Sequence, residues 1–591
     1  MSEAHPEGCT CGAHSEALDP SRRAFVQRMG LLGAAMAGAG PLIGCTQAND
    51  TKGIPQGEAL RAGAAQRITI LHTADIHAQL YTHDEFFHEG GKAVYRKRGG
   101  LAVLKTMIDA LRADNPGNTI VIDGGDCFQG SGTAALSEGR AIIPLVDRIG
   151  YDLMLPGNWE VVFGKDAMMH DLGAYKADKL CANMFHAPWP TGTTTANSTL
   201  PAPEGELIFP PYWTKVVAGA KLGFIGYNDP LTPKRQSPAY SYGIRFARPE
   251  ENVARYIRYL RDYERCAMVF LVTHMGLAQQ VDLANKPEVD GVDLILGADT
   301  HERVRVPIQA KYAKVTEPGA FGSFVSKLDI VVENGQVKDT HYALLDVDPE
   351  QYKADEGMLK LIAEQRAPFA NELDTVVGST KRTLVRYYVL ENPMDNMITD
   401  ALMWKLKPDV AISNGFRFCT PIVADEQHHA EITNDHLWSM VPVDSDAKFG
   451  TATGQQILDW LEKELNNVFA KEPSKRLGGW VVRFKGMELE FTMNKEMGQR
   501  VNAVRIGGEP LRKERSYRIA ACERDGDPND TLCRMEKVSD PELAGVTMHS
   551  ILRDYLKAFS PVAPQVEGRV KATDAPADLL SQLEGYDYEF R

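Results

Sequence analysis

Between residues 68 and 301, five apolar runs of strand character each end at once in side chains that can bind a metal. Ile68 to Leu71 leads into His72-Thr73-Ala74-Asp75-Ile76-His77, Thr119 to Ile122 into Asp123-Gly124-Gly125-Asp126, and Tyr151 to Leu155 into Pro156-Gly157-Asn158. Met268 to Val272 leads into Thr273-His274, and Val292 to Leu296 into Gly297-Ala298-Asp299-Thr300-His301. Singly, a histidine after a strand or a Gly-Asp pair is an ordinary turn. Together the five predict one cluster. Residues two apart on a strand face the same side, so Asp75 and His77 are expected to share a face, as are Asp299 and His301.

The apolar runs are too continuous for surface strands, and helical stretches such as Leu101 to Leu111 and Val253 to Tyr263 separate them. This predicts an α/β domain over 68–347, a layered sandwich around buried sheet, with ligands bound where the strands end. Residues 188–211, rich in Thr and Pro, read as a surface excursion. A connecting helix is expected over 348–374, a second α/β domain over 375–574, and an acidic tail over 575–591. A chain of 591 residues exceeds what one core usually supports, in keeping with two domains.

Two hard cations about 3.5 to 4 Å apart need a shared carboxylate flanked by oxygen and nitrogen ligands. Asp126, in a loop where Gly124 and Gly125 permit close backbone approach, is the expected bridge. Asp75 and His77 are assigned to one cation, Asn158 and His274 to the other. Oxygen and imidazole donors without thiolate suit manganese and also admit zinc, iron or cobalt. The net charge of −14 argues against nucleic acid as a partner, and an anionic substrate would need the local positive charge of such a centre.

At the N-terminus, Ser21-Arg22-Arg23-Ala24-Phe25 precedes a short, glycine-rich apolar run to Ile43. That order is that of a twin-arginine export signal over 1–45, followed by a polar linker over 46–67. Leu42-Ile43-Gly44-Cys45 admits lipidation of Cys45, and ordinary cleavage near Ala34 to Ala39 is the alternative. Either implies a periplasmic location. Cys522 and Cys533 are close enough in sequence to pair in an oxidising compartment, or to remain thiols.

Asp75-x-His77, Gly124-Gly125-Asp126, Gly157-Asn158, Thr273-His274 and Asp299-x-His301 resemble the motifs of the dimetal phosphoesterases. Their order, with Glu391-Asn392-Pro393-Met394-Asp395-Asn396 and Ser413-Asn414-Gly415-Phe416-Arg417 behind them, resembles the 5′-nucleotidase family. The resemblance implies a four-layer α/β/β/α metallophosphoesterase-like sandwich, a C-terminal 5′-nucleotidase-type α/β domain and a dimetal site. By position it also carries over Asp299 as a carboxylate ligand, with His301 as its partner and either of the two in the outer shell.

One departure is chemical. The nucleotidase motif reads Gly-Asn-His-Glu, with an acid two residues beyond the Glu, whereas this chain has Gly157-Asn158-Trp159-Glu160-Val161-Val162. That variant, the export signal and the loop from Glu523 to Cys533 resemble the SoxB branch of sulfate thiohydrolases. This implies a dimanganese enzyme in which metal-bound water releases sulfate from a cysteine S-thiosulfonate, presented on the C-terminal cysteine arm of a sulfur-carrier protein during thiosulfate oxidation. The catalytic set expected on this reading is Asp126, Asn158, Arg417 and His186, with Asn414, Arg417, Trp159 and Trp189 against substrate. Two alternatives accompany it, a surface-loop position for His186 and Trp189 and an interdomain ion pair for Arg417. The competing functions are an exported 5′-nucleotidase-type phosphoesterase and a non-catalytic carrier-binding subunit.

Overall fold

A computed structural model describes residues 65–188, 205–413, 419–425, 427–581 and 590. The export signal, the linker as far as residue 64, Cys45, Trp189, Asn414 and Arg417 lie outside these residues. Ala62–Arg591 packs as one compact unit, although the sequence divides it in two.

Two six-stranded sheets build the N-terminal part. One runs Gln336–Asp346, Phe324–Glu333, Gln66–Thr73, Thr119–Asp123, Leu153–Met154, Asp178–Lys179 from edge to edge. The other runs Ile308–Gln309, Lys314–Thr316, Leu294–Leu296, Met268–His274, Ala220–Asn228, Tyr212–Val217. Their central strands are parallel, so both faces must be covered and the apolar runs are continuous. Side-chain alternation shows the layering. Phe270 and Val272 join Leu222, Phe224, Ile70 and Ile122 in the core between the sheets. Val269 and Leu271 join Ile257, Leu277 and Val281 of the helices Val253–Arg258 and Leu277–Ala284 on the outer face. The helix Leu101–Asp114 adds Leu101, Leu104 and Ile108 to the same contiguous buried cluster. The arrangement is the expected four-layer sandwich.

The helix expected over Val253 to Tyr263 ends at Arg258 and continues as one π turn, Tyr259–Tyr263. The connecting segment is two helices, Glu356–Arg366 and Ala370–Leu373. The C-terminal part has a five-stranded sheet centred on Ser516–Cys522 and a four-stranded one, with helices Pro393–Leu406, Gly454–Phe469 and Met548–Phe559. The Glu391-to-Asn396 motif shapes the start of the first of these helices. Asn392 caps it through the Asp395 amide, Pro393 sits in the first turn, and buried Asp395 pairs with Arg386 at 2.7 Å and Arg483 at 3.2 Å. Cys522 and Cys533 are both free thiols, so the disulfide is not formed here.

A buried acid joins the two parts. Glu85, on the hairpin His83–Glu89/Lys92–Arg98, accepts from Arg303 Nη2 at 2.7 Å, Ser323 Oγ at 2.7 Å and the Tyr387 hydroxyl at 2.6 Å. Tyr387 also stacks on Phe86, ring centroids 4.8 Å apart. Burial alone would raise the Glu85 carboxyl, but the Arg303 guanidinium and its hydrogen-bond donors hold it down at about 2.

Because that folded value lies below the ordinary 4.5, the stability it supplies is complete above pH 4.5 and is lost as pH falls through about 2. Arg303→Met, which leaves Glu85 buried without its cation, is expected to cost about 3 to 5 kcal/mol in urea denaturation at pH 7 and to remove this acid-side slope.

Candidate metal centre

The sequence-predicted ligands follow the C-terminal ends of parallel strands in both sheets, at the crevice where open α/β sheets bind ligands. The local geometry differs from a shared strand face. The first strand ends at Thr73, and Asp75 and His77 lie beyond it with φ of 53° and 48°. Asp126, Asp299 and His301 are also left-handed, at 59°, 95° and 64°. Such backbone costs of order 1 kcal/mol or more per residue and persists only where the surroundings impose it. Here two loops clamp each other: the Asp75 amide donates to the Gly125 carbonyl at 2.9 Å and the His77 amide to the Asp126 carbonyl at 2.8 Å. Gly125 has to be glycine, since a Cβ there would meet Gly157 N at 2.5 Å.

Two groups of buried side chains could hold a cation: Asp75, His77 and His301, and Asp75, Asp126 and His274. Asp75 is common to both, and Asp126, the expected bridge, belongs to the second. Asp75 Oδ1 lies 3.4 Å from His301 Nε2, 3.7 Å from His274 Nε2 and 4.0 Å from His77 Nε2. Asp126 Oδ2 is 3.0 Å from His274 Nε2 and 3.8 Å from His77 Nε2.

The donors fit divalent cations on three counts. Asp75 Oδ1 and His274 Nε2 are buried without a hydrogen bond. Two imidazole nitrogens, His77 Nε2 and His301 Nε2, face each other at 3.1 Å, an arrangement that a shared electrophile explains. The tautomers are also set. His274 Nδ1 lies 2.8 Å from the Gly124 carbonyl and His77 Nδ1 3.0 Å from the Gln129 carbonyl. Since a carbonyl only accepts, each neutral ring carries its proton on Nδ1 and turns the Nε2 lone pair inward.

The same crowding displaces the titrations. Burial, reinforced by His301, pushes His77 down to about 4. Burial opposes ionisation of Asp75, but His274, His301 and His77 hold it at about 2. Burial would also lower His274, yet Asp126 and Asp75 together keep it well above its ordinary value.

Asn158 and Asp299 stand beside these groups. Asn158 Nδ2 donates to Asp299 Oδ1 at 2.6 Å, and its Oδ1 accepts from Gln236 Nε2 at 2.8 Å. Arg235 Nη1 donates to Asp299 Oδ2, so the carboxylate expected as a ligand is already paired with a guanidinium. Trp159 is buried, lines the cavity at the cluster, and its amide donates to Asp126 Oδ1 at 2.7 Å. His186, expected at the cleft, is exposed at the end of the short strand Met184–His186 and lines no described cavity at the centre. Its antiparallel register with Ile244–Phe246 fixes it on that two-stranded ribbon.

Arg235, Gln236 and Glu160 escaped the sequence reading. Glu160 accepts from the amides of Asp126 at 2.9 Å, Cys127 at 2.8 Å and Gly157 at 2.6 Å, tying two motif loops together. Burial and the Asp126 charge push its carboxyl up to about 8. Its place beside Asn158 in the motif was the available signal. Arg235 and Gln236 sit in an unremarkable segment and had none. The cavity above the cluster is closed by the C-terminal part, through Asn467, Trp480, Glu464 and Arg534.

The calcineurin-like phosphoesterase model matches residues 68–303, and the model of the 5′-nucleotidase C-terminal domain matches residues 375–523. The chain belongs to the 5′-nucleotidase/metallophosphoesterase superfamily. Within it, the trifunctional nucleotide phosphoesterase YfkN of Bacillus subtilis is 27% identical over 549 residues, covering 86% of this chain, which spans only 35% of that longer protein. A 5′-nucleotidase of Vibrio cholerae is 24% identical over 553 residues, covering 85% of this chain and 92% of its own length. The solved sulfate thiohydrolase SoxB of Thermus thermophilus superposes with a TM-score of 0.76 at 23% identity, covering 87% of this chain and 98% of that one. That likeness is one of fold. The chain is accordingly a hydrolase of this superfamily with residues suited to a dimetal site.

Adding manganese to metal-stripped protein is expected to raise Tm, by the equivalent of about 3 kcal/mol at a hundred times Kd. Asp126→Asn should keep the circular dichroism of the parent while retaining less metal by elemental analysis; full metal retention would remove Asp126 from the centre.

Proposed function

We propose that this chain is a periplasmic dimetal thiohydrolase that releases sulfate from a cysteine S-thiosulfonate on a carrier protein, the activity named for SoxB. The observation behind this reading is the environment of Trp159. The position that the family motif gives to histidine carries an indole lining the cavity, and Val162 packs among Phe86, Phe321, Val385 and Tyr387. Neither can give a proton to a leaving group.

That matters for an alkoxide and little for sulfur. An alkoxide leaves poorly without a general acid, whereas a thiol of pKa about 8.5, or a persulfide below it, leaves as the anion. In the proposed reaction a water oxygen bonds to the terminal sulfonate sulfur and the S–S bond breaks. The electron pair stays with the carrier persulfide, sulfate departs, and the water protons pass to solvent. Two bound divalent cations would lower the pKa of water and place positive charge at the sulfonate oxygens. The chain's own part is orientation: Gln129 and Gly124 carbonyls hold His77 and His274 in the ligating tautomer, and Glu160 fixes the Asp126 and Gly157 loops. Trp159 and Trp480 wall the cavity from two sides of the domain boundary.

Manganese as the resident metal, a carrier with a C-terminal cysteine arm, twin-arginine export and tethering through Cys45 belong to the same proposal. A second reading, an exported nucleotide phosphoesterase, has the names of the sequence relatives in its favour. Leaving-group chemistry separates the two. Manganese-loaded protein is expected to prefer a peptide cysteine S-thiosulfonate over a nucleotide monophosphate in kcat/KM by about a hundredfold or more, the scale of a missing general acid. Preference for the nucleotide would replace the first reading with the second.

A further inference from the structure

Arg235 ends the short helix Thr232–Arg235 and faces the centre without belonging to either ligand group. Two carboxylates flank it: Nε lies 3.2 Å from Asp229 Oδ2 in an ion pair without a hydrogen bond, and Nη1 donates to Asp299 Oδ2. Asp229 is fully buried and accepts the Leu231 amide at 2.9 Å, so it is itself fixed. Asp299 is held by Asn158, and the site is kept open by Gly276, where a Cβ would lie 2.8 Å from Asp299 Oδ2. The guanidinium is therefore fixed at one edge by a hydrogen bond and held at the other by charge. Its remaining group, Nη2, has no hydrogen-bond partner among the described residues.

Arg235, Trp159 and Gln236 are shared by two neighbouring cavities. One contains His77, Asp126 and His301, and the other is bounded by Arg386, Cys522 and Arg524 of the C-terminal part. A substrate reaching the metal centre from the second cavity would pass this guanidinium.

We propose that Arg235 binds the oxygens of a tetrahedral oxyanion, the terminal sulfonate of the substrate and the sulfate product, with Asp229 and Asp299 as its positioning residues. The planar fork of a guanidinium matches two oxygens of such a group, and a donor held in place beforehand loses little entropy when the anion arrives. Pairing with Arg235 also cancels the charge that Asp299 would otherwise present to an incoming anion. Asp299 thus acts through Arg235, which accounts for a carboxylate that stands next to the cluster and outside both ligand groups.

The inference rests on the hydrolase reading of the site, but its test uses inorganic anions and so does not depend on which ester is cleaved. Sulfate and phosphate affinities are measured by calorimetry on the manganese-loaded full chain, for the parent, Arg235→Met, Arg235→Lys and the charge-balanced double variant Arg235→Met/Asp299→Asn. Metal content and Tm are recorded for each. The expected result is a loss of about tenfold or more in sulfate affinity in both Met variants, the size of one charged hydrogen bond, with metal retained and partial recovery in Arg235→Lys. On substrate, KM should rise more than kcat falls. Unchanged sulfate affinity in a metal-retaining variant overturns the proposal. So does loss of metal together with the anion in every variant, because Arg235 would then be bracing the centre. Phosphate binding that depends on Arg235, with no sulfate binding by the parent, would leave this role intact and remove the thiohydrolase reading.

Discussion

Two carboxylates and three imidazoles buried together beside one cavity form the constraint around which the molecule is built. Asp75, Asp126, His77, His274 and His301 are all buried, and Asp75 Oδ1 and His274 Nε2 have no hydrogen bond inside the protein. Groups of this kind would normally be solvated or paired. Here they can be buried because both sheets end at the same crevice and because loop backbones, several of them left-handed, aim the side chains inward. A divalent cation satisfies the same donors at once. The crowding displaces the titrations, with burial and His301 holding His77 near 4 and Asp126 and Asp75 holding His274 well above its usual value.

The loops that carry these residues would relax if they stood alone. Amide–carbonyl bonds between the first two motifs and the Glu160 carboxylate across the second and third bind three segments into one body. The C-terminal part completes the enclosure. Gln129 donates to the Pro442 carbonyl at 2.7 Å, Gly132 N to Asp435 at 2.8 Å, and the Arg524 side chain to the Gln236 carbonyl. With Glu85 linking Arg303, Ser323 and Tyr387, these contacts make the interface continuous with the site. That is why two domains by sequence pack as one compact unit.

Function follows from what occupies the rim. On the proposed function, an indole at Trp159 in the cavity wall and an oriented guanidinium at Arg235 suit an oxyanion with a good leaving group. The nucleotidase motif has a histidine where Trp159 stands, and on that difference the proposal departs from the relatives' names.

The α/β layering and the strand-end positions of Asp75, Asp126, Asn158, His274 and Asp299 were legible in the chain, because burial of both sheet faces forces uninterrupted apolar runs and the ligands follow them directly. The requirement for Gly124 and Gly125 was legible for the same local reason. How the ligands converge was not. Asp75 and His77 meet through left-handed backbone beyond the strand, and φ beyond a strand end is imposed by long-range hydrogen bonds. His186 shows the same limit, since its place depends on a ribbon register with residues 244–246. Local pattern therefore determined which residues are apolar, which follow strands and what donors they carry. Tertiary structure alone decided that Asp75 and Asp126 both approach His77 and His274 and that Asp299 pairs with Arg235 from 64 residues away, because such pairings depend on distances that only the folded chain creates.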